Sequence, residues 1–233
     1  MPPQKPRRAI GLLLSGGMDS CILLGRLLER GYSVQPFYVR SQLIWEQAEL
    51  ESLQRFLAAL ASPGLAELVV LELPLRDLYR QGHWSVSGRD SPAADSAAEA
   101  VYLPGRNALL VIKAVLWCQM HGIRRLGLGV LASNPFADAG RAFFEHIEGA
   151  LNAGKDGAVR IVRPLARLNK QQVMELGRDL PLGLTFSCIS PAGGLHCGHC
   201  NKCAERQEAF AMVGMDDPTE YAISPASDRL TAS

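Results

Sequence analysis

No apolar run in this sequence reaches the roughly 20 residues that cross a bilayer. The opening MPPQKPRRAI also has no long apolar segment of the kind that directs secretion. Both absences lead to the expectation of a cytoplasmic protein with no membrane partner. An excess of one charge is missing too: 24 Lys and Arg stand against 23 Asp and Glu, a net charge of +1. That balance argues against a strongly electrostatic nucleic-acid binder. There is no internal repeat. Cysteine is sparse, six in 233 residues. In a reducing compartment such thiols serve as metal ligands or core side chains rather than disulfides.

What is present fits one α/β domain with a small appendage, because 233 residues with 48% hydrophobic and 20% charged content can bury a substantial core. The organising stretch is Leu14-Ser15-Gly16-Gly17-Met18-Asp19-Ser20-Cys21. An apolar strand from Ala9 to Leu14 precedes it, and a helical pattern through Cys21, Leu24, Leu27 and Leu28 follows, stopped by Gly31. The first N–H groups of a helix lack intrahelical partners and carry partial positive charge, so this turn is an anion site. Gly16 and Gly17 let the backbone approach a phosphate, and Ser15 and Ser20 add hydroxyls. Asp19 beside a phosphate makes sense if a divalent metal lies between them. The Lys-Ser/Thr of the Walker motif is lacking. SGGMDS instead resembles the SGGxDS signature of PP-loop ATP pyrophosphatases, which transfer AMP to a substrate oxygen.

Further along, strands are expected at Ser33–Val39 and Leu68–Leu73, around an amphipathic helix over Trp45–Leu60 with Leu50, Leu53, Phe56, Leu57 and Leu60 on one face. This order predicts a parallel sheet with helices on both faces and a ligand edge at the carboxyl ends of the strands. Gly82 to Glu99 reads as a surface loop near the site opening, with Trp84 and Arg89 as ligand contacts or as parts of a bare linker. Tyr102-Leu103-Pro104-Gly105-Arg106-Asn107 opens a helix over Ala108–Cys118, followed by a strand at Arg125–Val130, a loop over Leu131–Arg141 and a helix over Phe143–Leu151. A strand at Val159–Val162 and a helix opened by Leu168-Asn169-Lys170 complete the pattern, with Asn169 as its N-cap. Lys170 in a first helical turn is electrostatically disfavoured unless an anion compensates it, so phosphate contact and solvated surface Lys are both open. The same holds for Arg106 and Asn107. Cys21 and Cys118 fall within helical patterns as buried thiols.

Near the C-terminus, Cys188-x8-Cys197-x2-Cys200-x2-Cys203 has the spacing of a closed tetrahedral zinc site. Four thiolates leave no open coordination position, so the zinc is structural and clamps the tail by metal-coupled folding. His196 and His199 lie close enough to replace a thiolate, and an iron–sulfur cluster is the rival occupant.

Taken together, SGGMDS, YLPGRN, LNKQQVMELG and FSC...CGHCNKC resemble, in order and over nearly the whole chain, the 7-cyano-7-deazaguanine synthase family of queuosine biosynthesis. The resemblance implies a Rossmann-like (adenine nucleotide alpha hydrolase/PP-loop) domain over 1–180 and a zinc-binding segment over 181–233 packed on it. It implies conversion of 7-carboxy-7-deazaguanine to the nitrile with ammonia and ATP, through adenylation, amide formation and a second activation. Leu14 to Cys21 and Asn107 would bind ATP. Asp19 would serve the Mg²⁺-bound pyrophosphate, Lys170 and Arg106 would act in catalysis, and the four cysteines would hold zinc. Similar proteins commonly dimerise. The family's D-Y-S-G-Y-P-D-C-R loop is replaced here by residues 133–140, where Asp138 keeps an Asp while Ala139 and Gly140 stand for the Cys and Arg. The segment after Tyr38 lacks the family's Y-G-Q-R. This predicts a divergent branch acting on the same acid or a related carboxylate. A tRNA-modifying PP-loop enzyme and a catalytically inactive nucleotide-binding or interaction module are the alternatives. Near-zero net charge and metal-committed cysteines weigh against the former, and the altered loop favours the latter.

Overall fold

The computed structural model describes residues 8–154 and 157–223. Most of the N-terminal stretch read for secretion signals, and both outer ends of the expected domain ranges, lie outside them. Five parallel strands run in the order β3-β2-β1-β4-β5: β1 (Ala9–Leu13), β2 (Ser33–Arg40), β3 (Val69–Glu72), β4 (Arg125–Gly127) and β5 (Arg160–Val162). The chain builds outward from β1 to β3, then crosses to the other side of β1. The strand order therefore reverses between β1 and β4, and a crevice opens beyond their carboxyl ends.

Strand alternation sorts the core into two layers. Ile10 and Leu12 of β1, with Val34 and Tyr38 of β2, face α1 (Met18–Glu29), α2 (Glu46–Leu60), α6 (Lys170–Leu176) and α7 (Asn201–Met212). Leu13 and Phe37 face α4 (Arg106–Met120) and α5 (Arg141–Asn152). Leu12, Leu24, Leu53 and Phe56 are fully buried, and each such side chain contributes about 1.5–3 kcal/mol over its exposed state. Cys21 and Cys118 lie in these layers, and burial pushes the Cys118 thiol up to about 12. No helix of the described residues is long and apolar enough to cross a membrane.

One sequence expectation is extended and two need correction. The buried face of α2 is wider than the leucine stripe: Leu50, Leu53, Phe56, Leu57 and Leu60 all join one core cluster as expected, and Glu46, Glu49 and Ser52 are buried beside them. The segment Gly82 to Glu99 is not simply loop. It contains a short helix, α3 (Trp84–Ser87), capped by His83 Nδ1, which accepts from the Ser85 N–H at 3.3 Å. The segment is pinned to the tail, with Asn201 N–H donating to the Pro92 carbonyl at 3.0 Å and Asn201 Nδ2 to the Ser96 carbonyl at 2.8 Å. The strand expected to reach Val130 ends at Gly127, although the Leu128 N–H still donates to the Val162 carbonyl at 3.0 Å, and Gly129 beyond it lies against the start of α1.

Candidate active site

The glycine turn sits at the crevice that the strand reversal opens. Gly16 takes φ +73°, in the left-handed region, and an added Cβ there would meet the Glu49 carbonyl at 3.1 Å. Gly17 is the N-cap of α1, and no side chain caps this helix. Its first N–H groups are thus left for a ligand. Ser20 Oγ donates to the Gly17 carbonyl at 3.1 Å and lies 3.4 Å from Ser15 Oγ and from the Ser15 N–H, which braces the turn. The Gly16 carbonyl accepts from the Phe186 N–H at 2.8 Å, tying the turn to the segment that carries the cysteines. Behind it, Gly129 backs onto α1 so closely that a Cβ would meet Ser20 N and Cα at 3.0 Å.

A cleft of about 370 Å³ opens from this turn. Leu14, Ser15, Gly17, Met18, Asp19 and Ser20 line it, and so do Arg106, Asn107 and Lys170 from two other helix starts. Lys170 Nζ lies 2.6 Å from Asp19 Oδ1. Asn169 and Gln172 form a reciprocal capping box that holds the start of α6. Arg106 follows a turn braced by Tyr79, whose hydroxyl donates to the Pro104 carbonyl at 2.9 Å. The Arg106 Nε is buried and has no hydrogen-bond partner among the described residues. Asn107 Nδ2 donates to Asp138 Oδ1 at 3.1 Å, so its amide reaches the cleft already held. The structure does not bring Cys21 to the cleft: its thiol is fully buried and its N–H is spent on the Gly17 carbonyl at 3.2 Å. Trp84 lines the cleft, stacked on Trp45 at 5.7 Å, whereas Arg89 is exposed and does not.

Two cleft residues were missed in the sequence. Glu49 is buried, and Tyr38 donates to its Oε2 at 2.6 Å. Burial, partly offset by Arg106 and by the Tyr38 hydrogen bond, pushes the Glu49 carboxyl up to about 7. Burial and the neighbouring Glu49 likewise hold the Tyr38 phenol above its ordinary range. The available signal was a carboxylate four residues before Leu53, in the apolar stripe of a helix, where a solvated face has no place.

The sulfurs of Cys188, Cys197, Cys200 and Cys203 converge within 4.8 Å of one another, all four residues buried. Cys188–Cys200 and Cys197–Cys203 are each 3.8 Å apart. A tetrahedron with Zn–S bonds of about 2.3 Å has edges of about 3.8 Å, so the cluster could hold a metal of that size. Backbone N–H groups of Ser190 and Cys197 donate to Cys188 Sγ, and that of Cys200 to Cys197 Sγ, each at 3.3 Å. His196 is not in the set. Its Nε2 accepts from the Ser187 N–H at 3.1 Å, and His199 Nδ1 lies 3.2 Å from the Cys197 carbonyl. Beside the cluster, Arg206 is fully buried, donating to Thr219, Thr185 and the Leu182 carbonyl.

The family model described as queuosine biosynthesis protein QueC matches residues 8–214. The chain belongs to the QueC family. Its QueC relatives include the 7-cyano-7-deazaguanine synthase of Xanthomonas campestris pv. campestris, 34% identical over 91% of this chain and 97% of the relative. That of Acidobacterium capsulatum is 31% identical over 95% of this chain and 99% of the relative. Among solved structures, NMN synthetase from Francisella tularensis is similar with 19% identity and a TM-score of 0.48, over 91% of this chain and 79% of that one. A 4-thiouridine synthetase solved with RNA and ATP is similar with 16% identity and a TM-score of 0.47, over 88% and 50%.

Within this QueC chain the altered segment 133–140 is a 3₁₀ turn, Ala137–Ala139, on the cleft wall. Asp138 is buried beneath it, and the Ala139 carbonyl accepts from Arg163 at 3.2 Å. Phe136 lines the cleft with Tyr102, their rings 5.0 Å apart. This wall of the cleft thus carries the Phe136 ring and the buried Asp138, with Ala139 and Gly140 beside them.

Proposed function

We propose that this chain converts 7-carboxy-7-deazaguanine, or a closely related aromatic acid, to its nitrile with ammonia and ATP. One observation supports this above the rest: an uncapped helix start, Lys170 and Arg106 converge on one cleft in a chain of this family. The N–H groups of α1 and the hydroxyls of Ser15 and Ser20 would cradle the phosphates of ATP. Lys170 would leave Asp19 for the pyrophosphate and stabilise charge as it departs. Mg²⁺ fits the oxygen of Asp19 and would act as a Lewis acid on the phosphates when bound. The Arg106 guanidinium, with its unpartnered Nε, would hold the oxyanion formed when ammonia attacks the adenylate. A planar heteroaromatic acid would lie against Tyr102, Phe136 and Trp84. Zinc fits the four thiolates and would supply structural clamping. Such thiolates fit a reducing cytoplasm.

The test is mass spectrometry of products from the purified protein incubated with 7-carboxy-7-deazaguanine, ATP, Mg²⁺ and ammonium. The expected outcome is the nitrile with AMP and pyrophosphate. A protein that forms neither AMP nor pyrophosphate with this acid or related ones is not such an enzyme.

A further inference from the structure

Two buried carboxylates line the cleft and are left unused by the scheme above: Asp138 is engaged by the Asn107 amide, whereas Glu49 is not held in this way. Its environment is unusual for an acid. Tyr38 from β2 donates to Oε2 at 2.6 Å, while Oε1 accepts no hydrogen bond among the described residues. Arg106 from α4 lies across the cleft and lowers the carboxyl's proton affinity, without closing to an ion pair. Glu46, one turn earlier on α2, adds like charge, but Arg40 engages it at 3.1 Å. The peptide of Glu49 packs against Gly16, so the carboxyl stands beside the phosphate turn. It stands on the β2 side, opposite the β5 side from which Lys170 enters. A buried carboxylate without a cation partner costs stability and is retained where it exchanges a proton.

The attack of ammonia on an acyl adenylate needs such a group. The new C–N bond leaves an ammonium on the tetrahedral carbon, which must lose a proton before the C–O bond to AMP breaks. Dehydration of the amide needs it again. Once ATP has activated the amide oxygen, the last N–H proton must leave as the C–O bond breaks and the C≡N bond closes.

We propose that Glu49 is the proton acceptor in the nitrogen-transfer steps, with Tyr38 setting its protonation. This rests on the function proposed above. The carboxylate takes the proton from nitrogen, AMP leaves with the electron pair of the C–O bond, and Glu49 returns the proton to water through the open cleft. Tyr38 is a positioning residue: its hydroxyl stabilises the charged carboxylate and keeps Oε1 turned to the substrate.

The experiment separates activation from nitrogen transfer. Acid-dependent exchange of labelled pyrophosphate into ATP reads adenylation alone, and amide plus nitrile formation reads the whole sequence, referred to free ammonia at each pH. Glu49→Gln is expected to keep exchange within about threefold of the parent and to lose product formation by about a hundredfold or more. In the parent, product formation rises with pH through neutrality. Tyr38→Phe removes a donor to the carboxylate and is expected to move that rise to higher pH, an effect a purely structural role would not produce. Equal losses of exchange and product in Glu49→Gln, unimpaired product formation, or an unmoved profile in Tyr38→Phe would each overturn the proposal. If Glu49→Gln fails to fold, the Tyr38→Phe profile decides. A parent protein with no exchange on any acid removes the function itself, and the proposal with it.

Discussion

Lys170 Nζ sits 2.6 Å from Asp19 Oδ1, joining the first residue of α6 to the first turn of α1 across the mouth of the cleft. The two residues are 151 positions apart in the chain. Both side chains keep about a quarter of their exposure, 26% and 29%. Such a pair contributes little to stability, on the order of 0–1 kcal/mol. Its value is that it stores a cation where an anion is expected.

Lys170→Ala is therefore expected to lower adenylation by about a hundredfold or more while moving the melting temperature by only a few degrees. Pyrophosphate exchange and thermal denaturation on the same preparation check both halves. A large loss of stability with proportionate loss of activity would make the pair a structural tie.

Metal removal should act on the cleft wall as well as on the tail. Ala93 bridges Cys200, and Trp45 stacks on Trp84 within the same apolar cluster as the four cysteines. One zinc per chain is expected by elemental analysis. Chelation or Cys200→Ser should lower the melting temperature and shift tryptophan emission to the red as that stack opens to water. Metal-free protein with unchanged emission and melting would contradict the clamp.

Gly129→Ala places a methyl group 3.0 Å from Ser20 N and Cα, both backbone atoms of the first turn of α1. The helix start must move, so ATP binding measured by calorimetry should weaken at least tenfold. Gly149→Ala is the control. It lies in α5 with nothing within 4 Å of the added Cβ, and it should be neutral or stabilising by up to about 1 kcal/mol.

The buried carboxyl of Glu49 makes stability depend on pH in a stated direction. Its folded pKa, about 7, lies above the ordinary 4.5, so the folded protein binds the extra proton. The contribution of this carboxyl to stability is fully present below about pH 4.5 and is lost as pH rises through 7, by something on the order of 3 kcal/mol. Glu49→Gln should remove this slope, melting higher than the parent at pH 8 but not at pH 5. A parent and variant that melt in parallel from pH 5 to pH 8 would place the carboxyl in water.

Local chemistry was readable from the chain itself. SGGMDS needs only neighbours in sequence to form a strand, a left-handed Gly16 and an uncapped helix start. The cysteine spacing likewise brings four sulfurs together over 16 residues, and Asn169 announces the cap of α6. The strand and helix order was legible because each element repeats its own period. Only the tertiary structure decided which distant groups share the cleft. The reversal of strand order between β1 and β4 brings Lys170 to Asp19. The packing of α2 against the turn puts Glu49 beneath Gly16, and the return of the tail ties Phe186 to that same glycine. These contacts carry no signal in periodicity or spacing, because each depends on how two elements far apart in the chain lie against one sheet. For the same reason Glu49 passed as part of an ordinary amphipathic helix: its burial, and with it its proton affinity, comes from Tyr38 and the cleft rather than from its neighbours in sequence.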